Sequence, residues 1–256
     1  MENFIRDLLT KSLKEDMVDK ILSTSFDRFK AAFTSKDYNE HENYEFFEQL
    51  GDLSINKFIV TYMGYRFPQL KSSNGVGVLA SLRILYGSKD TLSSLSEKYG
   101  MDKFIICTQE EMMDKNKFRN ILEDVFEAFF GALEYSIDKL WYQGLGYVFV
   151  YDLLSKLFDE LYISIDYENL VDAKTRLNEL KDEYKINIKY KDSRLNDGMF
   201  VTELYVENKL AGRGLSNMKK NSQILAAEEA LNWIEKNLKI KKEIPERYRT
   251  ISEKLW

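Results

Sequence analysis

Glu45-Phe46-Phe47-Glu48-Gln49-Leu50-Gly51-Asp52 decides how the first half of this 256-residue chain is read. Glu48 and Asp52 stand four residues apart and so share one face of a helix. About seventy residues later, Asp124-Val125-Phe126-Glu127-Ala128-Phe129-Phe130-Gly131-Ala132-Leu133 carries a second pair, Asp124 and Glu127, three residues apart. Both pairs lie in strongly apolar stretches, where acids are costly unless something pairs them. Four acids converging between two packed helices form a hard, all-oxygen site suited to a divalent cation such as Mg²⁺ or Mn²⁺.

Outward from these two helices, residues 1–163 read as helical nearly throughout. Apolar residues recur at three-and-four spacing over 14–22, 25–33, 43–66, 77–86, 89–98, 117–140 and 145–162. Gly64 and Pro68 close the 43–66 segment, and Gly75 with Gly77 marks a loop before the next helix. The pattern changes near residue 165. Leu170, Ala173, Leu177, Leu180 and Tyr184 form a helical stripe. Ile186, Ile188 and Tyr190 then alternate, as do Phe200, Thr202, Leu204 and Val206, with Asn196-Asp197-Gly198 as turn chemistry between them. Lys209 to Gly214 reads as a short third strand, and Ile224, Ala227, Leu231, Ile234 and Leu238 form a last helical stripe. The expected architecture is an all-α domain over 1–163, followed by a small α+β domain (α-β-β-β-α) over 164–240. In the second, both helices cover one face of a three-stranded antiparallel sheet. A charged tail, 241–256, contains Pro245 and is expected to extend the last helix or trail from it.

Composition narrows the function. Hydrophobic residues make up 44%, enough for a packed core. The single cysteine, Cys107, excludes an intramolecular disulfide framework, implies a reducing compartment and reads as a half-buried structural thiol. No apolar run approaches a membrane span, and Asp7 interrupts any secretory signal at the start, so no membrane association is expected and the placement is cytoplasmic (host cytoplasm for a viral chain). A di-iron bundle needs Glu-x-x-His steps, and zinc needs histidine or cysteine ligands. The one histidine, His41, lies outside any such step, so both are disfavoured. The net charge of −5 argues against a wholly nucleic-acid-binding surface. Between Lys185 and Lys220, however, eight Lys and Arg face four acids, a local excess of positive charge fit for phosphate contact.

The motifs resemble those of the ribonuclease III family over nearly the whole chain. Asn43 to Asp52 is similar to its signature helix, N-x-E-R-L-E-F-L-G-D, and Asp124 to Ala132 to its second motif, D-x-x-E-A-x-x-G-A. Asp172-Ala173-Lys174-Thr175-Arg176-Leu177-Asn178-Glu179-Leu180 resembles the opening of a double-stranded-RNA-binding domain. Gly212-Arg213-Gly214, Lys219-Lys220 and Ala226 to Leu231 resemble its close. Phe46 replaces the signature's arginine and Gln49 its phenylalanine. The usual G-P-x-H loop is Lys191 to Gly198, without proline or histidine.

The resemblance implies a metal-dependent endoribonuclease that cuts double-stranded RNA as a homodimer and leaves 5′-phosphate and 3′-hydroxyl ends with short 3′ overhangs. Glu48, Asp52, Asp124 and Glu127 would hold Mg²⁺, with Mn²⁺ able to substitute, and Glu45 would sit at the edge of the site. Thr175, Asn178, Glu179, Arg194, Lys219 and Lys220 would contact RNA. The signature helix would form the dimer contact, which the apolar Tyr44, Phe46, Phe47 and Phe58 support; alternatively these side chains, or most of them, fill the core of the single chain. Glu123 and Glu134 read as solvated. The alternative is an inactivated nuclease fold that binds or sequesters duplex RNA.

Overall fold

The computed structural model describes residues 1–241 and 243–252, and these divide into two compact units, the first Met1–Ile163 and the second beginning at Ser164. The first is built of helices: α1 (Glu2–Leu9), α2 (Glu15–Ala32), α3 (Glu45–Arg66), α4 (Gly75–Tyr86), α5 (Lys89–Lys98), α6 (Gln109–Met113), α7 (Lys115–Leu140) and α8 (Gly146–Asp159). At its centre is α7. Asp114 caps it by accepting from the backbone N–H groups of Asn116 (2.9 Å) and Lys117 (3.2 Å). From Val125 to Leu133 every residue is buried, so α7 lies inside the bundle rather than on it. α3 packs beside it through Ile55, Phe58, Ile59 and Met63, all fully buried. Edge-on aromatic contacts tie in the neighbours: Phe58 to Phe158 of α8 at 5.0 Å, and Phe33 to Phe129 at 6.4 Å.

Three local expectations are corrected. The two segments expected at 14–22 and 25–33 are one helix. Ser23, Thr24 and Ser25 do not break it, because Ser23 and Thr24 donate back to the Lys20 carbonyl (3.1 and 2.7 Å). Gly75 opens α4 and Gly77 lies within it, so this glycine pair is helical; Gly75 is required because a side chain there would strike the Leu70 backbone. The short helices α1 and α6 belong to no expected segment. α1 is held by burial of Ile5, Leu8 and Leu9, and α6 by a capping box between Thr108 and Glu111.

The second unit runs α9 (Tyr167–Leu170), α10 (Ala173–Tyr184), β1 (Ile188–Arg194), β2 (Phe200–Val206), β3 (Lys209–Ser216), α11 (Lys219–Leu238) and α12 (Glu246–Ser252). The strands form an antiparallel sheet in the order β1-β2-β3, with Asp192 opposite Thr202 and Glu203 opposite Arg213. Glu207 and Asn208, both at positive φ, make the two-residue turn between β2 and β3. Leu177 and Leu180 of α10 and Ala226, Ala230 and Ile234 of α11 bury one sheet face around Leu204 and Val206. α11 lies directly on β3: a side chain at Gly212 or Gly214 would collide with the carbonyl of Ala226 or Ser222. The tail neither extends α11 nor trails. Lys239 ends that helix in the left-handed conformation, and α12 packs back through buried Tyr248, which meets Tyr167 at 5.0 Å. Residues 242 and 253–256 of the expected tail lie outside the described residues.

Candidate active site

The two acidic motifs meet because two glycines let their helices touch backbone to backbone. On α3, a side chain at Gly51 would overlap the Glu127 carbonyl. On α7, one at Gly131 would overlap the Phe47 carbonyl and lie 2.9 Å from the Gly51 nitrogen. At this crossing Glu48 and Asp52 on α3 face Asp124 and Glu127 on α7. Glu127 and Glu48 feel the charges of their neighbours most. Glu127, only 7% exposed, has its pKa pushed up to about 9 by burial and by the charges of Asp52, Glu123, Glu48 and Asp124. Burial and the charges of Asp124, Glu45, Glu123 and Asp52 raise Glu48 to about 7. Burial raises Asp124 as well, opposed by a hydrogen bond that the Tyr44 hydroxyl donates to it and by the charge of Lys89.

Asp52 accepts a hydrogen bond from the Asn56 amide at 2.6 Å, which fixes its rotamer. Glu45 is exposed at the edge of the cluster and pairs with Lys36 at 2.7 Å. Glu123 and Glu134 read as solvated in the sequence, and the structure corrects both. Glu123 is half-buried, pairs with Lys89 at 3.3 Å and adds its charge to Glu127. Its four-residue spacing from Glu127 is the available signal. Glu134 is likewise half-buried and accepts a hydrogen bond from Ser54 on α3. Tyr44, buried beside Asp124, is a neighbour of the acids that no sequence pattern marks.

The four carboxyl groups share one space but do not close into a ligand set. Among the described residues, no group of three or more His, Cys, Asp or Glu side chains is arranged to hold a metal ion. Like charges keep such side chains apart. Even so, the donors suit a hard divalent cation. All are carboxylates, the most buried of them has neither an ion pair nor a hydrogen-bond donor among the described residues, and the nearby cations Lys89 and Lys36 are already paired with Glu123 and Glu45.

In the second unit, Thr175 and Asn178 are exposed on α10, and the Asp172 side chain caps that helix through both the Thr175 N–H (3.0 Å) and hydroxyl (2.8 Å). Glu179, expected to contact RNA, is only half-exposed and accepts a hydrogen bond from the Tyr167 hydroxyl at 2.6 Å. Arg194 ends β1, stacks over Phe200 and donates to the Gly198 carbonyl, which orders the loop that lacks proline and histidine. Lys219 and Lys220 open α11, where the free N–H groups of the first turn add to their positive charge.

Comparison with known proteins matches the same two segments. Residues 45–136 fit the Ribonuclease III domain, and residues 173–234 fit the Double-stranded RNA binding motif. The chain is 40% identical to a provisionally named ribonuclease 3 of Invertebrate iridescent virus 6, over 97% of this chain and 91% of that protein. It is 35% identical to a similarly named protein of Frog virus 3, over 91% of this chain and 62% of that protein. Ribonuclease 3 of Borreliella afzelii is 30% identical over 82% of this chain and 86% of that protein.

Proposed function

We infer, for a chain that belongs to the ribonuclease III family, that it is an endoribonuclease cutting double-stranded RNA by metal-dependent phosphodiester hydrolysis. One observation supports the reading: the Gly51–Gly131 backbone crossing that sets Glu48 and Asp52 of α3 opposite Asp124 and Glu127 of α7. These four would hold the cation, Mg²⁺ with Mn²⁺ as substitute. When bound, it supplies charge neutralisation at the scissile phosphate and an activated water. Asn56 and Tyr44 hold Asp52 and Asp124 in place. Lys36 holds Glu45 at the rim, where it meets substrate or water. Products with 5′-phosphate and 3′-hydroxyl ends and short 3′ overhangs follow from the family resemblance.

The direct test incubates end-labelled duplex RNA with the protein and Mg²⁺, with and without EDTA. EDTA-sensitive shortening supports the enzyme. A shifted but intact band in Mg²⁺ supports the inactive binder, which the four retained acids disfavour.

The raised carboxyl groups give a second, independent readout. A carboxyl whose pKa rises on folding, from an ordinary 4.5 to about 9 for Glu127, binds its proton more tightly in the folded protein. In EDTA its contribution is full below pH 4.5 and is lost as pH rises toward 9. The melting temperature in EDTA is therefore expected to fall over that range. Added Mg²⁺ is expected to restore it, most at high pH, because a cation must displace those protons. A melting temperature insensitive to Mg²⁺ at every pH would sink the metal assignment.

We further propose that the second unit binds the duplex through the exposed face of α10, the loop at Arg194 and the start of α11. A-form RNA offers a wide minor groove and flanking phosphates to such a surface. Replacing Lys219 and Lys220 together by alanine is expected to weaken duplex binding and flatten its salt dependence, by about one unit of slope for each lysine that meets a phosphate. An unchanged slope would make both lysines bystanders.

Two cuts in a duplex need two centres, and we propose that a homodimer supplies them. Of the four aromatic residues named for it, Tyr44, Phe47 and Phe58 fill the core of the first unit, the alternative that the sequence left open. Phe46 stays 56% exposed, and one heptad along α3 Leu53 is 68% exposed, giving that helix an uncovered apolar stripe. Light scattering is expected to report twice the chain mass. No described helix is long and apolar enough to cross a membrane, and a lone cysteine fits the reducing conditions of a cytoplasm.

A further inference from the structure

The start of α11 is tied to the sheet by a polar chain. Asp192, on β1, is partly buried, and its carboxylate accepts from the Thr202 hydroxyl (2.7 Å), the Gln223 amide (2.9 Å) and the Lys219 ammonium (2.9 Å). Lys174 of α10 closes the chain by donating to the Gln223 carbonyl oxygen at 2.6 Å, which fixes the orientation of that amide. Partial burial works against the charge on Asp192, yet the hydrogen bonds from Lys219, Thr202 and Gln223 hold its pKa below the usual carboxylate range. Lys220, the next residue, is exposed, and no carboxylate among the described residues pairs with it. Of the two lysines of one motif, Lys219 is ion-paired and Lys220 is exposed without such a partner among the described residues.

We propose that Asp192 is a positioning residue that neutralises Lys219 from within the chain, so that Lys220 alone of the pair acts as a net positive charge toward an RNA phosphate. The proposal rests on the reading of the second unit as a duplex-RNA binder. The consequence follows from counterion release. A free lysine that meets a phosphate displaces a condensed cation and adds about one unit to the slope of log affinity against log salt. A lysine already paired with a carboxylate brings no net charge and adds little. Asp192 thus lowers both the affinity and the salt sensitivity of the unit, while Thr202 and Gln223 brace the carboxylate that holds the Lys219 ammonium. An asparagine in place of Asp192 has nearly the same shape and one remaining acceptor oxygen, but no charge to cancel that of Lys219.

The experiment measures binding of the full chain to a fluorescent RNA duplex in EDTA, to prevent cleavage, across a series of KCl concentrations. Lys220→Ala is expected to flatten the slope by about one unit and Lys219→Ala by less than half of that. Asp192→Asn is expected to tighten binding several-fold at low salt and to steepen the slope by about one unit. Combined with Asp192→Asn, Lys219→Ala is expected to remove that gain. The proposal is overturned if Asp192→Asn leaves the slope unchanged or weakens binding, or if Lys219→Ala flattens it as much as Lys220→Ala. Should Asp192→Asn fail to fold, the two lysine variants in the native background still decide the question. Failure of the unaltered protein to bind any duplex would remove the RNA reading itself, a result distinct from wild-type binding with equal contributions from the two lysines.

Discussion

Glu127→Gln is expected to abolish cleavage of duplex RNA, with a loss on the order of 10³-fold or more, the upper end of what removing one electrostatic stabiliser costs. It leaves duplex affinity in EDTA unchanged. Glutamine keeps the volume of the side chain and one oxygen, so packing against α3 survives, but it cannot become an anion. Glu127 is the carboxylate on which the charges of Asp52, Glu123, Glu48 and Asp124 all act. Its negative charge is therefore the least favourable of the four in the metal-free protein, and under the proposed mechanism it is the one a bound cation would offset most. The same substitution makes a prediction with the opposite sign for stability. In EDTA at pH 9 the Glu127→Gln variant melts higher than the unaltered protein, because the burden of ionising Glu127 is gone, and the fall in melting temperature between pH 4.5 and 9 is reduced. Asp52→Asn is expected to remove activity in the same way. Its position in the first motif makes the pair a test of both helices. Robust cleavage by the purified double variant would refute the site assignment, whereas loss of activity with a collapsed melting curve would indicate only damage to the fold.

What is legible in the sequence depends on periodicity. The two acid pairs, the long helices carrying them and the α-β-β-β-α order are all patterns that one side of an element writes into the chain at fixed spacing. Contacts between elements leave no such mark. Tyr44 and Asp124 are far apart in sequence, and their hydrogen bond exists only because α3 crosses α7. Glu123 and Glu134 look like ordinary surface acids when α7 is read alone, and become half-buried once α3 and its neighbours cover that face. Phe46, Phe47 and Phe58 are alike in composition, yet Phe58 and Phe47 turn inward and Phe46 outward, a difference set by helix rotation rather than residue type. Asp192 reads as one of four acids in a basic stretch, and only the sheet and α11 together reveal that it binds Lys219. The tail is the least legible segment, because Tyr248 and Ile251 are buried by a reversal of the chain after Lys239 that no helical stripe encodes.

Gly131→Ala is expected to disrupt the catalytic unit more than any substitution of an acid. A single methyl there meets the Phe47 carbonyl and approaches the Gly51 nitrogen, so the obstruction is backbone on both sides and no rotamer can relieve it. Relief requires α3 and α7 to move apart along a contact buried by Phe47, Ile55 and Phe58 on one side and Ala128 and Leu133 on the other. Overpacking of a core typically costs about 1–3 kcal/mol, and a collision between two helix backbones falls at or above the top of that range. For a domain of this size, about 3 kcal/mol lowers the melting temperature by roughly 6–12 °C. Gly51→Ala, facing the Glu127 carbonyl, is expected to behave alike. Separation of the helices also pulls Glu48 and Asp52 away from Asp124 and Glu127, so Mg²⁺ no longer raises the melting temperature of either variant, even at a temperature where it remains folded. The helical propensity of alanine exceeds that of glycine by about 1 kcal/mol, so an isolated helix would gain from the change. A measured gain in stability for Gly131→Ala would therefore show that the two helices do not touch at this point, and the gathering of the four acids would lose its cause.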